Sequence, residues 1–409
     1  MKKLFEEFQT FIVQQSADKD GPLSPPIINS AAFSYGNPES AEKIFSGEIN
    51  RPLYSRIANP TNSKLENLIS YIDKGAGSVV TSSGMGAISL AIMSFLKSGD
   101  EIISIGGLFG GTYSFFSETI KRFGIDVKFI DADEDIEKFI TENTKIIFTE
   151  SVSNPNLDIA DFLKIEKICK KNKILFIVDN TLTPLLFNPF DFGADLIIYS
   201  TTKIISGHSQ ALGGAVVYRE IDSNDKLFER FDFLKNIYEK KGKNALLYAL
   251  KKRAMRDFGM SESAFNSYLT ILGLQTLPLR IQRVNESTKY LVETLYENGF
   301  KISHPQLKNS NYHQRYEKYF PNGVGGVFSI DFETKDKAFN FLKNSKLLFL
   351  TANLGDSRTL ALHMNSTIYR DFSKNDKKFL KITEGLVRIS VGLEDPQILI
   401  EDFLKAAKG

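Results

Sequence analysis

Two neighbouring segments of this sequence carry the residue types that covalent chemistry needs. The apolar run Ile174–Val178 ends in Asp179-Asn180-Thr181, and the next strand-like run, Asp195–Tyr199, ends in Ser200-Thr201-Thr202-Lys203. A lysine can add to a carbonyl carbon as a nucleophile, or move a proton as a base, once its ammonium has lost a proton. A carboxylate one strand away can hold a proton on a nearby nitrogen, and the hydroxyls beside the lysine can donate to an anion. Either charged residue alone is usually a helix cap or a solvated charge; their placement after successive strands is what points to a shared crevice. A third segment, Ser82-Ser83-Gly84-Met85-Gly86-Ala87, opens a helix pattern through Ile88, Leu90, Ala91 and Met93. Small residues there let backbone N–H groups approach an anion at the positive end of a helix, although a tight turn against a sheet would use the same residues.

These segments depend on the elements that present them. From about residue 64 an apolar helix face (Leu65, Leu68, Ile69, Ile72) is followed by short apolar strands, each leading through a polar or Gly-rich turn into another helix. This is the grammar of successive βαβ units. Strands are predicted at Ser78–Thr81, Glu101–Ile105, Asp126–Ile130, Ile146–Thr149, Ile174–Asp179, Asp195–Tyr199 and Gly214–Val217. Their near-continuous Ile, Val and Phe content fits a mostly parallel sheet buried on both faces, whose ligands bind beyond the carboxyl ends of the strands. Before this region, Pro22, Pro25, Pro26, Pro38, Pro52 and Pro60 punctuate the first 60 residues, which predicts an irregular arm of a kind that often crosses to a neighbouring subunit. After it, a charged amphipathic stretch runs from about Lys226 to Phe258. A second α/β region then carries strand candidates at Val327–Phe332, Leu347–Leu350, Leu360–His363 and Leu386–Val391. The expected fold class is α/β, with an N-terminal arm (1–58), a large, mostly parallel domain (59–257) and a smaller C-terminal α/β domain (258–409).

Composition narrows the function classes. Among 409 residues, Lys plus Arg number 51 against 49 Asp plus Glu, and a formal net charge of +2 gives no electrostatic reason to expect nucleic acid or a membrane surface as partner. With 42% hydrophobic and 24% charged residues the chain is that of an ordinary globular protein, and no window approaches the ~18 uninterrupted apolar residues of a membrane span. The N-terminal Met-Lys-Lys-Leu-Phe-Glu-Glu-Phe does not resemble a signal peptide, so a cytoplasmic location is expected. The single cysteine, Cys169, cannot form an intrachain disulfide, and His208, His304, His313 and His363 lack metal-ligand spacing, so no metal site is expected.

A lysine for a Schiff base, hydroxyls and amides for a phosphate, and an aspartate for a pyridine nitrogen are together the groups a pyridoxal phosphate enzyme requires. Six ordered motifs, spread over nearly the whole chain, resemble those of the Cys/Met metabolism pyridoxal-phosphate enzymes. That family includes cystathionine synthases and lyases, methionine γ-lyase and homoserine-ester sulfhydrylases. Tyr54-Ser55-Arg56 with Asn59-Pro60-Thr61 resembles the arm motif, Ser83-Gly84-Met85 the phosphate turn, and Glu150-Ser-Val-Ser-Asn154-Pro155 the segment whose Asn lies near the cofactor's 3-oxygen. Asp179-Asn-Thr resembles the pyridinium aspartate, Ser200-x-Thr202-Lys203 the Schiff-base lysine with its phosphate-binding hydroxyls, and Arg388-Ile-Ser-Val-Gly-Leu-Glu394 the segment that binds the substrate α-carboxylate. The resemblance implies a type I pyridoxal-phosphate transferase fold and a homotetramer in which Tyr54 and Arg56 reach a neighbouring subunit's cofactor phosphate. It also implies that Gly84 and Met85 offer amides to the phosphate, that Phe109 stacks on the cofactor, and that Lys203 is the base at the substrate Cα.

Within the family, Ala352-Asn353-Leu354-Gly355-Asp356 resembles a stretch of the O-acetylhomoserine sulfhydrylases, where cystathionine enzymes show Ser-Leu-Gly-Gly; this implies that Asn353 is at the substrate. Leu108-Phe109-Gly110-Gly111 has glycine where methionine γ-lyases carry cysteine. The implied activity is γ-replacement on an O-acyl-homoserine, most of all O-acetylhomoserine, by a sulfur nucleophile, giving homocysteine or methionine. A cystathionine γ-synthase or γ-lyase, a methionine γ-lyase and an aminotransferase are the alternatives. The implied partners are a small amino-acid substrate and a sulfur donor. Three departures from the family pattern stand out. Phe109 replaces the usual stacking tyrosine, keeping the ring and losing a hydroxyl, which leaves Tyr113 or Tyr54 as proton donors to a leaving group. His363-Met364-Asn365-Ser366-Thr367-Ile368-Tyr369 replaces His-Pro-Ala-Ser-x-Thr-His, and Glu220–Asp257 lacks the Pro-x-Tyr-His-Gly insertion common in the sulfhydrylases.

Overall fold

The computed structural model describes residues 2–49 and 51–408, with side chains from Phe5 onward. Its first sheet contains β1 (Gly77–Thr81), β2 (Glu101–Ile105), β3 (Asp126–Ile130), β4 (Thr144–Glu150), β5 (Leu175–Asp179), β6 (Leu196–Tyr199) and β7 (Gly214–Tyr218), in the order β1-β7-β6-β5-β4-β2-β3. β7 runs antiparallel to both neighbours, and the other pairs are parallel. Because successive side chains point to opposite faces, Ile103, Ile147, Phe176 and Val178 enter one core while Ile102, Ile146, Leu175 and Ile177 enter another. Both faces are therefore covered, which is why these strands read as unbroken apolar runs.

The first of those cores continues into a second sheet, through Val327, Phe328, Val387 and Ile389. It contains β8 (Ile302–Ser303), β9 (Val327–Asp331), β10 (Phe349–Leu350), β11 (Leu360–His363) and β12 (Leu386–Ser390), ordered β10-β11-β12-β9-β8. The two-residue β8 is too short to leave a pattern in the sequence, and β10 covers only the second half of the predicted Leu347–Leu350 strand. The charged stretch after Lys226 is largely helical, and its Leu234, Leu246 and Leu250 fill the core on the other face of the first sheet. No helix among the described residues is long and apolar enough to cross a membrane.

The expectation of an irregular first 60 residues is corrected by two helices. α1 (Lys2–Gln15) lies wholly before the first proline. Its Phe5, Phe8 and Ile12, at helical spacing, share a core with Leu65, Leu68 and Ile69 of α3 (Pro60–Ser70). α2 (Pro38–Ser46) carries its proline in the first turn, after an Asn37 cap whose side chain accepts from Ser40 N at 2.8 Å. A helix tolerates proline there, because the missing N–H would have had no partner; prolines counted only as breakers hide such a start.

Behind β5 and β6, a buried polar network fixes the strand ends. Asn180, the residue after Asp179, donates from its backbone N to Ile198 O at 2.9 Å, and its Nδ2 donates to Phe187 O and to Tyr199 Oη, each at 2.9 Å. Tyr199 Oη lies 2.9 and 2.8 Å from the two carboxyl oxygens of Asp73. Burial, opposed by the tyrosine hydrogen bond, pushes Asp73 up to about 8, whereas an aspartate in the unfolded chain titrates near ~3.9. The folded state therefore holds a proton that the unfolded state loses between those values. The stability this contributes is complete below about pH 4 and is lost as pH rises through about 8. Asp73→Asn, which stays neutral, is predicted to flatten that decline, gaining on the order of a few kcal/mol relative to wild type between about pH 4 and about pH 8. Denaturant titrations at several pH values measure the difference.

Candidate active site

Beyond the carboxyl ends of β4, β5 and β6 lies a cavity of about 200 Å³ lined by Glu150, Asn154, Asp179, Lys203 and Arg388, among others. Asp179 is the last residue of β5 and pairs with Ile198, so Ser200–Lys203 forms the turn just past the end of the adjacent strand. Asp179 Oδ1 accepts from Thr181 N at 3.0 Å and from Thr181 Oγ1 at 2.6 Å. Thr181 Oγ1 accepts in turn from Ser200 N at 2.8 Å, so one threonine ties the aspartate to the turn that carries the lysine. Burial lifts Asp179 to about 6 against those hydrogen bonds. Lys203 Nζ donates to Asn353 Oδ1 at 2.7 Å, and burial, with the charge of Arg388, brings it down to about 8. Roughly a tenth of such a lysine is neutral near pH 7, enough to serve as a base.

Arg388 enters from the second sheet, at the centre of β12, between Ser329 and Leu362. Its Nη1 donates to Asn154 Oδ1 at 3.3 Å and Nη2 to Asn353 O at 2.8 Å, while Nε has no partner among the described residues. Burial lowers it to about 10, which still leaves a cation at neutral pH. An enclosed guanidinium with an unpaired N–H suits a carboxylate.

At the other end, α4 (Gly84–Phe95) starts just past β1, capped by Ser83, whose hydroxyl accepts from Gly86 N at 3.0 Å. The amides of Gly84 and Met85, in the first turn, have no intrahelical acceptor. A Cβ on Gly84 would lie 2.7 Å from Ser200 Cβ and 2.8 Å from its hydroxyl, so glycine is what lets the helix start and the lysine turn close around one point. Thr202 is less free. Its hydroxyl donates to Gly213 O at 3.1 Å and accepts from Gly213 N at 2.9 Å. Phe109 completes the wall. Amides and a hydroxyl at one end, a carboxylate and a lysine in the middle, and an aromatic ring beside them fit the phosphate, pyridine nitrogen, carbonyl carbon and ring of pyridoxal phosphate.

Tyr54 and Arg56 do not join this cavity in their own chain. Both are exposed, with the guanidinium 5.6 Å from the Tyr54 ring centroid and bonded to Arg256 O. Tyr113 is not among the lining residues, and its hydroxyl donates to Asp376. Asn353 is held from both sides of its amide, since Nδ2 donates to Ser209 Oγ at 2.8 Å and Ser209 bonds to Asp356. One functional candidate was not singled out by the sequence patterns. Glu150 ends β4 directly opposite Asp179, and burial, then the Asp179 charge, drives its carboxyl well above the ordinary range. Asp179 accepts two donors from Thr181 and Glu150 two backbone N–H groups, so each carboxyl of the facing pair is held on its own side. The available signal was a polar residue closing an apolar strand, the same signal that marked Asp179.

The model of the Cys/Met metabolism PLP-dependent enzyme family matches residues 9–408. The chain is 33% identical to the homocysteine/cysteine synthase of Saccharomyces cerevisiae, over 92% of this chain and 91% of that protein. It is also 33% identical to the O-acetyl-L-homoserine sulfhydrylase of Corynebacterium glutamicum, over 97% and 95% respectively. A solved Campylobacter jejuni structure named for O-acetylhomoserine (thiol)-lyase, which carries an N'-pyridoxyl-lysine-5'-monophosphate, matches with a TM-score of 0.92 at 32% identity, over 98% of this chain and 100% of that one. The cystathionine gamma synthase of Xanthomonas oryzae matches with a TM-score of 0.84 at 27% identity, over 98% and 97%. These likenesses bear out the type I fold expected from the motifs. By its sequence over nearly its full length, and by its fold, the chain belongs to the Cys/Met metabolism PLP-dependent enzymes.

Proposed function

We propose that this protein replaces the acetyl ester of O-acetylhomoserine with a sulfur nucleophile at the γ-carbon, giving homocysteine from sulfide or methionine from methanethiol. The observation that carries this reading is Asn353, in the Ala352–Asp356 segment, bonded to Lys203 Nζ. The names of the yeast and corynebacterial relatives support it. Bound pyridoxal phosphate supplies an electron sink for charge that develops on the substrate carbons. Lys203 Nζ takes the proton from the substrate Cα, oriented by Asn353 Oδ1. Asp179 holds a proton on the pyridine nitrogen. The Gly84 and Met85 amides with the Ser200 hydroxyl receive the phosphate, which Thr202 joins by turning from Gly213. Phe109 would supply a face for the ring, Asn154 a polar group for the 3-oxygen, and Arg388 a cation for the substrate α-carboxylate. In a homotetramer, exposed Tyr54 and Arg56 of one subunit complete the phosphate end of the neighbouring cavity.

Phe109 favours an ester over a thioether. A departing thiol has a pKa near ~8.5 and a departing carboxylate near ~4.3, so the gap of about four units is about 5–6 kcal/mol of proton affinity. A carboxylate leaves without acid help; a thiolate benefits from a donor that Phe109 lacks and that Tyr113, committed to Asp376, does not supply, which leaves a neighbouring subunit's Tyr54, placed toward the phosphate end, as the one candidate donor. If half of that gap reaches the barrier, O-acetylhomoserine turns over about a hundredfold faster than cystathionine or methionine. Steady-state rates on the three substrates, with and without sulfide, test this, and Phe109→Tyr is expected to raise thioether cleavage relative to ester turnover. Equal wild-type rates on methionine and O-acetylhomoserine would favour a methionine γ-lyase instead.

Two further outcomes follow from the geometry. Gly84→Ala, whose Cβ would press on Ser200, is expected to weaken cofactor retention about tenfold or more, measured by equilibrium dialysis with circular dichroism as the check on folding. Mixing inactive Arg56→Ala subunits with inactive Lys203→Ala subunits is expected to restore partial activity in hybrids; no recovery after verified exchange places each site within one chain.

A further inference from the structure

The segments that flank the cavity beside Phe109 are tied together by two groups with no part in the scheme above. Glu150 Oε1 accepts from the Phe109 N–H at 2.7 Å, and Oε2 accepts from the Asn154 N–H at 3.0 Å. Tyr369 Oη lies 3.2 Å from Leu108 O and 3.3 Å from Asn154 O. We propose that Glu150 and Tyr369 form a clamp across two loops, holding the Phe109 ring and the Asn154 amide at the cavity, and that both are positioning residues for the cofactor site. The inference rests on reading Phe109 and Asn154 as cofactor contacts.

The loops need such a clamp because the sheet stops short of them. β2 and β4 are neighbours, but their ladder ends at Ile105 and Thr149, and the segments carrying Phe109 and Asn154 leave from those two ends. A carboxyl group presents two acceptor oxygens, so one side chain can take an N–H from each loop, whereas an amide has a single acceptor oxygen. From the other side, one tyrosine proton shared between two carbonyls accounts for two contacts of nearly equal, long distance. The Tyr369 ring is fully buried, and Gly110 leaves room for it: a Cβ there would lie 3.2 Å from Tyr369 Cε1 and 2.8 Å from Ile368 Cγ2.

Glu150→Gln turns an NH₂ group toward one of the two N–H donors and releases that loop; Tyr369→Phe removes only the hydroxyl. In the holoenzyme, hydrogen exchange followed by mass spectrometry is expected to be about tenfold faster in Glu150→Gln for the peptide that carries the released N–H, Phe109 or Asn154, with β5 peptides unchanged. Tyr369→Phe should show a smaller increase in both peptides. The visible circular dichroism of the bound cofactor should fall, and its dissociation should quicken about tenfold in Glu150→Gln and a few-fold in Tyr369→Phe. Wild-type exchange in both peptides overturns the clamp. A lowered melting temperature with unchanged cofactor dissociation and dichroism overturns the positioning role. If Glu150→Gln does not fold, the isosteric Tyr369→Phe decides. Borohydride reduction and peptide mapping test the underlying reading separately: a pyridoxyl group on a residue other than Lys203 overturns that reading, and the exchange data still decide whether the loops are clamped.

Discussion

The cavity depends on the register of three parallel strands. Glu150 lies opposite Asp179, and Asp179 opposite Ile198, so the ends of β4 and β5 and the turn after β6 meet at one rim. Since neighbouring side chains on a strand face opposite ways, a slip of one residue in β5 would exchange its two faces. Phe176 and Val178 fill one core while Leu175 and Ile177 fill the other, and each side is shaped around its own set. Asn180 adds a polar lock just beyond Asp179 through its bonds to Ile198, Phe187 and Tyr199. The packing that stabilises the sheet is thus also what aims the carboxylate.

Enclosure acts on every charged group at that rim in the same sense, toward the neutral form. Lys203 and Arg388 are lowered, and Asp179 and Glu150 are raised. The two cations are held by neutral partners, Lys203 by the Asn353 amide and Arg388 by the Asn154 amide and a backbone carbonyl. A direct ion pair between lysine and aspartate would satisfy both groups and leave neither for a ligand. Neutral partners position the charges while keeping them available to a molecule that brings a phosphate, a ring nitrogen and a carboxylate of its own.

The second sheet supplies what the first cannot. Its β12 carries Arg388 into the cavity wall, and the segment before β11 brings Asn353 onto Lys203. The core shared between the sheets makes this juxtaposition rigid, because Val327, Val387 and Ile389 pack with Ile103, Phe176 and Val178. The N-terminal region does different work. α1 anchors it through Phe5, Phe8 and Ile12, while Tyr54 and Arg56 remain at the surface.

By itself the sequence determined whatever depends on neighbouring residues. Apolar runs closed by polar residues marked β1 to β7 and the strand-end positions of Asp179 and Lys203, because burial on both faces and the start of a turn leave local signatures. Ordered motifs carried the family. The α1 helix was legible in the same way, from Phe5, Phe8 and Ile12, but a count of prolines obscured it. Only the tertiary structure decided which distant residues meet. That Lys203 takes Asn353 from 150 positions away and that Arg388 reaches Asn154 across 234 follow from how two sheets pack through a common core; that Tyr369 spans two loops, and that Tyr54 and Arg56 miss their own chain's cavity, are likewise set by packing between distant segments. No periodicity within a segment encodes that packing, since it is set by the shapes of side chains that come together only after the strands and helices have formed.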